Sequence, residues 1–158
     1  MAKIKGLDKL KRDLDPDDFI AKVLKIVADE HAAEIIDEVI GSAKKGKGPG
    51  DQDYPPLSAA YAAKFKGQRK TFLSVVGTLL DTQRFSLTAK GTTLTQKWEG
   101  DDKLGIIATV HNDGLPIGRG GPVKQREFVH FESRNTLSKL WNAIELAAER
   151  VTREFNRG

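Results

Sequence analysis

The chain has 158 residues, 39% hydrophobic and 30% charged, which suits one soluble domain able to bury a real core. It has no cysteine, which excludes disulfides and thiolate metal sites, and no run nears the roughly 20 apolar residues that span a bilayer. The net charge of +4 is too small to indicate nucleic acid by itself.

Residues 1–14 mix Lys and Asp with sparse leucines and read as an N-terminal arm, mobile or briefly helical. Met1-Ala2-Lys3-Ile4-Lys5-Gly6 lacks the apolar segment of a signal peptide, so a protein made and used in the cytoplasm is expected, unless it travels inside a larger particle. A single domain is expected over 15–157. Asp15-Pro16-Asp17-Asp18 starts a helix: Asp15 caps free amides, Pro16 suits the first turn, and the acids favour the positive dipole end. Phe19, Ile20, Val23, Leu24, Val27, His31, Ile35 and Val39 recur at spacings of three and four, predicting one long amphipathic helix to about Ser42.

Residues 43–56 are rich in Gly, Pro and Lys and read as a loop. Ser58 is placed to cap a short helix from Ala59 to about Lys66, with Tyr61 and Phe65 one turn apart, and a second short helical stretch runs from Thr71 to Asp81, interrupted by Gly77. The period then changes to two. Phe85 and Leu87, then Leu94, Gln96 and Trp98, then Leu104, Ile106, Ala108 and Val110 predict an antiparallel meander, with turns at Lys90-Gly91 and over 99–102. Phe128-Val129-His130-Phe131 is a candidate fourth strand after the long loop from Asn112 to Gln125. Leu137, Leu140, Trp141, Ile144, Ala148, Val151 and Phe155 predict a final helix, capped by Asn135 or Thr136. The expected fold class is α+β: a meander of three to four strands packed on two long helices, with short helices between.

No constellation supports bond chemistry. The chain has three histidines; His31 sits in the apolar stripe, and His111, Asp113 and His130 match no metal-ligand spacing. No phosphate loop, HExxH or Gly-x-Ser-x-Gly occurs, and His111-Asn112 continues as Asp113-Gly114 rather than as a nuclease triplet. Gly118-Arg119-Gly120-Gly121 opens no helix that would hold a phosphate. No catalytic residue, cofactor or metal is therefore expected. Arg119, Lys124 and Arg126, and the loop at Lys44, Lys45 and Lys47, can touch DNA phosphates non-specifically, but neither carries the aromatics that stack on bases.

Charge is uneven along the chain. Asp29, Glu30, Glu34, Asp37 and Glu38 crowd the first long helix, while 44–70 carries seven bases against Asp51 and Asp53. Such blocks arise on merely solvated faces, and they also permit head-to-tail contacts between identical subunits. The span 115–125 holds Pro116, Gly118, Gly120, Gly121 and Pro122, and long loops of this kind are more often functional than idle.

Four segments, in order, resemble the virion morphogenesis (tail-completion) family of Mu-like phages, related to siphophage neck and tail-completion proteins. They are Pro56-Leu57-Ser58 followed by Tyr61 and Lys64; Leu73 to Thr82 around Gly77; Val110-His111-Asn112-Asp113-Gly114; and Arg126-Glu127-Phe128. Val76 replaces a usual Thr or Ser, and the Pro before Arg126 and the Leu-Gly after Phe128 are missing. The resemblance implies structural roles for Leu57, Ser58, Tyr61, Gly77, His111, Asn112, Gly114, Arg126 and Phe128. It implies a non-enzymatic virion subunit, assembled in the host bacterial cytoplasm, that forms a ring, commonly hexameric, at the head–tail junction. Its partners would be tail-tube or neck-connector proteins, with no membrane. Such a ring needs heterologous contacts, for which the candidates are the five acids above, Lys44, Lys45, Lys47, Arg119, Lys124 and Arg126. The alternative is a small basic DNA-binding or regulatory protein.

Overall fold

The computed structural model describes residues 15–56, 80, 84–100, 102–114 and 126–157. The short helices expected over 59–81, with Leu57, Ser58, Tyr61 and Gly77, lie outside the described residues, as do the 1–14 arm, Arg119 and Lys124. The described fold mixes α and β: helix α1 (Pro16–Glu30), helix α2 (Ala32–Lys44), a hairpin of β1 (Phe85–Lys90) and β2 (Thr93–Trp98), helix α3 (Asp102–Asp113) and helix α4 (Arg134–Arg157).

Helix α1 begins as its sequence dictates. Asp15 Oδ1 accepts from the Asp17 amide at 2.9 Å, and Pro16 occupies the first turn, where no amide is needed. The single long helix expected through Ser42 is in fact two. His31 takes φ −117° and ψ 2°, outside the helical region, although its amide still bonds Val27 O and its carbonyl still accepts from the Ile35 amide. Because the hydrogen-bond ladder survives, the apolar stripe crosses the break in register. Val23 and Val27 are buried before it, and Ile35, Ile36, Val39 and Ile40 after it.

The hairpin follows the alternating pattern. Phe85 pairs with Trp98, Leu87 with Gln96 and Ala89 with Leu94, and the turn is Gly91-Thr92. Phe85 and Leu87 are buried, whereas the opposite face, with Thr88, Lys90, Thr93, Thr95 and Lys97, is exposed.

Among the described residues the meander has two strands. Residues 104–110, expected as a third strand, lie in α3. The run Leu104 to Val110 is apolar at five of seven positions, so it satisfies either period. Helical burial decides the matter: Ala108 and His111 are inside with Ile107 beside them, while Ile106, inward in the strand reading, is 66% exposed. The candidate fourth strand at 128–131 is irregular chain, and the amides of Phe128 and Val129 are taken by Asn112 at the end of α3 rather than by a strand.

Helix α4 is capped by Ser133, not by Asn135 or Thr136. Ser133 Oγ accepts from the Thr136 amide at 3.2 Å, worth about 1 kcal/mol for such a cap. The same hydroxyl donates to Thr136 Oγ1 at 2.6 Å and accepts from the Ser42 hydroxyl at 3.3 Å, so a buried chain of three hydroxyls ties the end of α2 to the start of α4. The core face of α4 is rotated from the expected stripe. Ala143, Ala147, Ala148 and Val151 are buried, and these small side chains let α1 and α2 approach closely, whereas Leu137 and Trp141 are left 39% and 61% exposed.

Candidate assembly interface

Gly114, at φ +69°, stops α3, in the left-handed conformation that glycine adopts without strain. The helix end it creates receives the chain returning at Arg126. The Arg126 amide donates to His111 O at 2.7 Å, and the Phe128 and Val129 amides both donate to Asn112 Oδ1 at 3.1 Å. Asn112 is itself oriented by donating from Nδ2 to Asp113 Oδ1 at 2.9 Å. Arg126, the first described residue after Gly114, is thus held against the end of α3 by one clip. His111, Asn112 and Gly114 close a helix here, whereas the resemblance implies the end of a strand.

A third stretch joins this node. The Arg126 side chain, 5% exposed, donates from Nη2 to Pro55 O at 3.0 Å and to Pro56 O at 3.3 Å. The Tyr54 hydroxyl donates to Glu127 O at 2.9 Å, and burial together with the Glu127 carboxylate holds this phenol well above its ordinary pKa, so it stays a donor. Gly48 is required beside it, since a Cβ there would stand 2.8 Å from the Tyr54 ring. Phe128, fully buried, sets its ring edge-on to Phe85 with centroids 6.3 Å apart.

Three titratable groups are buried in and beside the node. Burial lowers Arg126, although a guanidinium remains charged at any physiological pH. Burial, reinforced by the Arg126 cation, pushes His111 down to about 4. Burial also lowers His130, against the opposing pull of Glu132 and Asp51. His130 Nδ1 accepts from the Glu132 amide at 3.2 Å, while its Nε2 is buried without a hydrogen-bond partner. Both imidazoles are neutral at pH 7. Among the described residues no three His, Cys, Asp or Glu are grouped to hold a metal ion.

Replacing Asn112 with alanine removes the acceptor for two part-buried amides and is expected to cost about 1 to 2 kcal/mol. Urea unfolding measures this loss, and an unchanged midpoint would mean that the clip contributes nothing.

The charged surfaces divide on inspection. Asp29 pairs with Lys25 at 3.2 Å within α1, and Glu30 is held by Arg150 of α4, which also binds Glu154. Glu34 reaches Lys139 only at 4.0 Å, and Asp37 and Glu38 have no ion-pair partner among the described residues. Lys44 and Lys45 are exposed at the end of α2, while Lys47 binds Asp53 at 2.8 Å across a short bridge that pins the 45–54 loop. Arg126, grouped by sequence with the outward-facing bases of 119–126, is instead buried within its own subunit. Sequence reasoning placed Trp141 and Leu137 in the core, yet they form an exposed apolar pair one turn apart. Their periodicity gave no signal of this, because the same stripe carries the buried Ala148 and Val151.

Between α2 and α4 lies an open groove of about 530 Å³. Ile35, Ala143 and Leu146 line it with apolar surface, and Glu34, Glu38 and His31 give it a polar wall along α2. No helix among the described residues is long and apolar enough to cross a membrane. No family model, curated protein or solved structure matches the chain.

Proposed function

We propose that this protein is a structural subunit of a tailed-phage or phage-derived particle, a ring-forming component of the head–tail junction that works by surface complementarity without bond chemistry. The observation that carries this reading is the convergence of three segments that the family resemblance singles out in sequence. Pro56, the His111-Asn112-Asp113-Gly114 run and Arg126-Glu127-Phe128 meet at one buried node, where their polar groups serve the fold. Their one histidine, buried and neutral, and their backbone-directed arginine suit architecture better than turnover. The node also joins the end of α3 to Arg126, on either side of the sequence that the resemblance treats as a variable loop.

Ring closure needs two unlike faces on each subunit. Asp37 and Glu38 of α2, without an ion-pair partner among the described residues, and the exposed amines Lys44 and Lys45 supply them, the first pair on the flank of the helix and the second at its end. Partners above and below would be tail-tube or connector subunits.

Charge reversal at Lys44 and Lys45 (K44E/K45E) tests the assignment. Native mass measurement on the full chain at about 50 mM salt should give a closed oligomer that weakens toward about 0.5 M, and the variant should be monomeric at both. An oligomer unaffected by salt and by the reversal would refute the charge assignment. A monomer that instead binds duplex DNA with a steep salt dependence would favour a small basic DNA-binding protein.

A further inference from the structure

The hairpin's own bonding fixes which main-chain groups it leaves open. The Glu99 amide donates to Arg84 O at 2.7 Å, so in the alternating ladder the pairs 86/97, 88/95 and 90/93 are the bonded ones. The pairs between them turn their amides and carbonyls away from the partner strand. On β2 these include Leu94 and Gln96, and neither has a main-chain partner among the described residues. The side chain of Gln96 is equally unanswered. It lies on the inward face, and both its Oε1 and its Nε2 are buried without a hydrogen-bond partner, an arrangement native folds seldom keep.

Beside Gln96 is a cavity of about 250 Å³, bounded by Gln96, Lys97 and Trp98 and, across from them, by Ala108, Thr109 and Asn112 of α3. Neighbouring side chains on a strand point to opposite faces, so a cavity that meets three in a row and nothing of β1 runs along the outer edge of β2. That edge is unguarded: its register has no bulge, it contains no proline, and none of its inward residues is charged.

Open main-chain groups at strand spacing are matched by another extended strand. A primary amide is matched by a second one, which offers a donor and an acceptor side by side. β2 itself carries both. We propose that β2 of a second copy completes this edge, antiparallel about a two-fold axis at Gln96. The two Gln96 residues then exchange main-chain bonds and pair their side-chain amides in the cavity. Leu94 lies opposite the second Trp98 on the inward face, and Lys97 lies opposite the second Thr95 on the outward face. Neighbouring registers lose this match. Centring on Thr95 sets Gln96 against Leu94, and centring on Lys97 sets that cation against its own copy. The contact goes beyond the ring reading and does not rest on it: alone it makes a dimer, and beside a heterologous contact it joins two rings face to face.

Because the chain has no cysteine, a single introduced thiol can form only an intermolecular disulfide. Full-length Thr95→Cys and Lys97→Cys, both at exposed positions, are mixed under mild oxidation. In the proposed register the two thiols stand on a non-bonded pair with Cα atoms about 4.5 Å apart, within disulfide reach. The mixed disulfide should dominate over both self-disulfides. Sedimentation of the cysteine-free chain gives a second reading. Thr95→Lys opposes two lysines at both symmetric places and should weaken the dimer about tenfold, and adding Lys97→Glu should restore it. A self-disulfide as abundant as the mixed one, a cysteine-free chain that stays monomeric, or a dimer indifferent to Thr95→Lys overturns the proposal.

Discussion

Replacing Phe128 with alanine will remove about 4 kcal/mol of stability, a large fraction of what a domain of this size commonly has. The ring is 0% exposed, so its truncation leaves a cavity among Phe85 and the residues around it instead of a dent at the surface. The edge-to-face contact with Phe85, at 6.3 Å and 72°, is lost as well, adding to the cost of transfer. The backbone of residue 128 keeps its bond to Asn112, so the loss reports the side chain alone. Trp141→Ala is the control: larger in volume removed but 61% exposed, it should cost under about 1 kcal/mol in the isolated subunit. Urea midpoints of both variants decide the matter. A Phe128→Ala loss no greater than that of Trp141→Ala would mean that the node is not part of the core.

Which parts of this architecture could be read from the chain follows from where local and tertiary demands agree. The hairpin was legible because Phe85, Leu87, Leu94 and Trp98 alternate, a glycine follows Lys90, and nothing competes. The start of α1 was legible because Asp15 and Pro16 act on their immediate neighbours. Residues 104–110 were not, since a run apolar at five of seven positions satisfies both periods and Gly105 and Val110 even disfavour the helix that forms; packing of Ala108 and His111 against the core overrides propensity. The break at His31 has no local cause either: Ala28, Glu30, Ala32 and Ala33 are all at ease in a helix.

The candidate site was half legible for the same reason. A tyrosine, an asparagine and an arginine in turn-forming surroundings look like exposed loop chemistry. Only the fold shows Tyr54, Asn112 and Arg126 turned inward onto carbonyls and amides 16 to 73 residues away. The charged surfaces were visible as blocks, but sequence cannot distinguish Glu30, already held by Arg150, from Asp37 and Glu38, which are available to a neighbour.

Acidification should destabilise the protein before its surface carboxylates titrate, and His111 is the main reason. In the unfolded chain this imidazole titrates near 6.5, while in the fold burial and the Arg126 cation hold it down to about 4. Because the folded pKa is the depressed one, the unfolded state binds the extra proton first. Stability is therefore full above about pH 6.5 and is lost progressively as the pH falls toward 4. The full shift corresponds to about 3 kcal/mol, or nearer 2 once solvent reaching the helix end is allowed for. His130, lowered by burial, acts in the same direction. Urea unfolding between pH 7.5 and pH 4.5 should show the decline, and a His111→Gln variant, whatever its own stability, should show a flatter one. Nuclear magnetic resonance titration of the His111 ring provides the decisive reading: a midpoint at or above 6.5 in the folded protein would show that the ring is solvated and would remove the imidazole from the node.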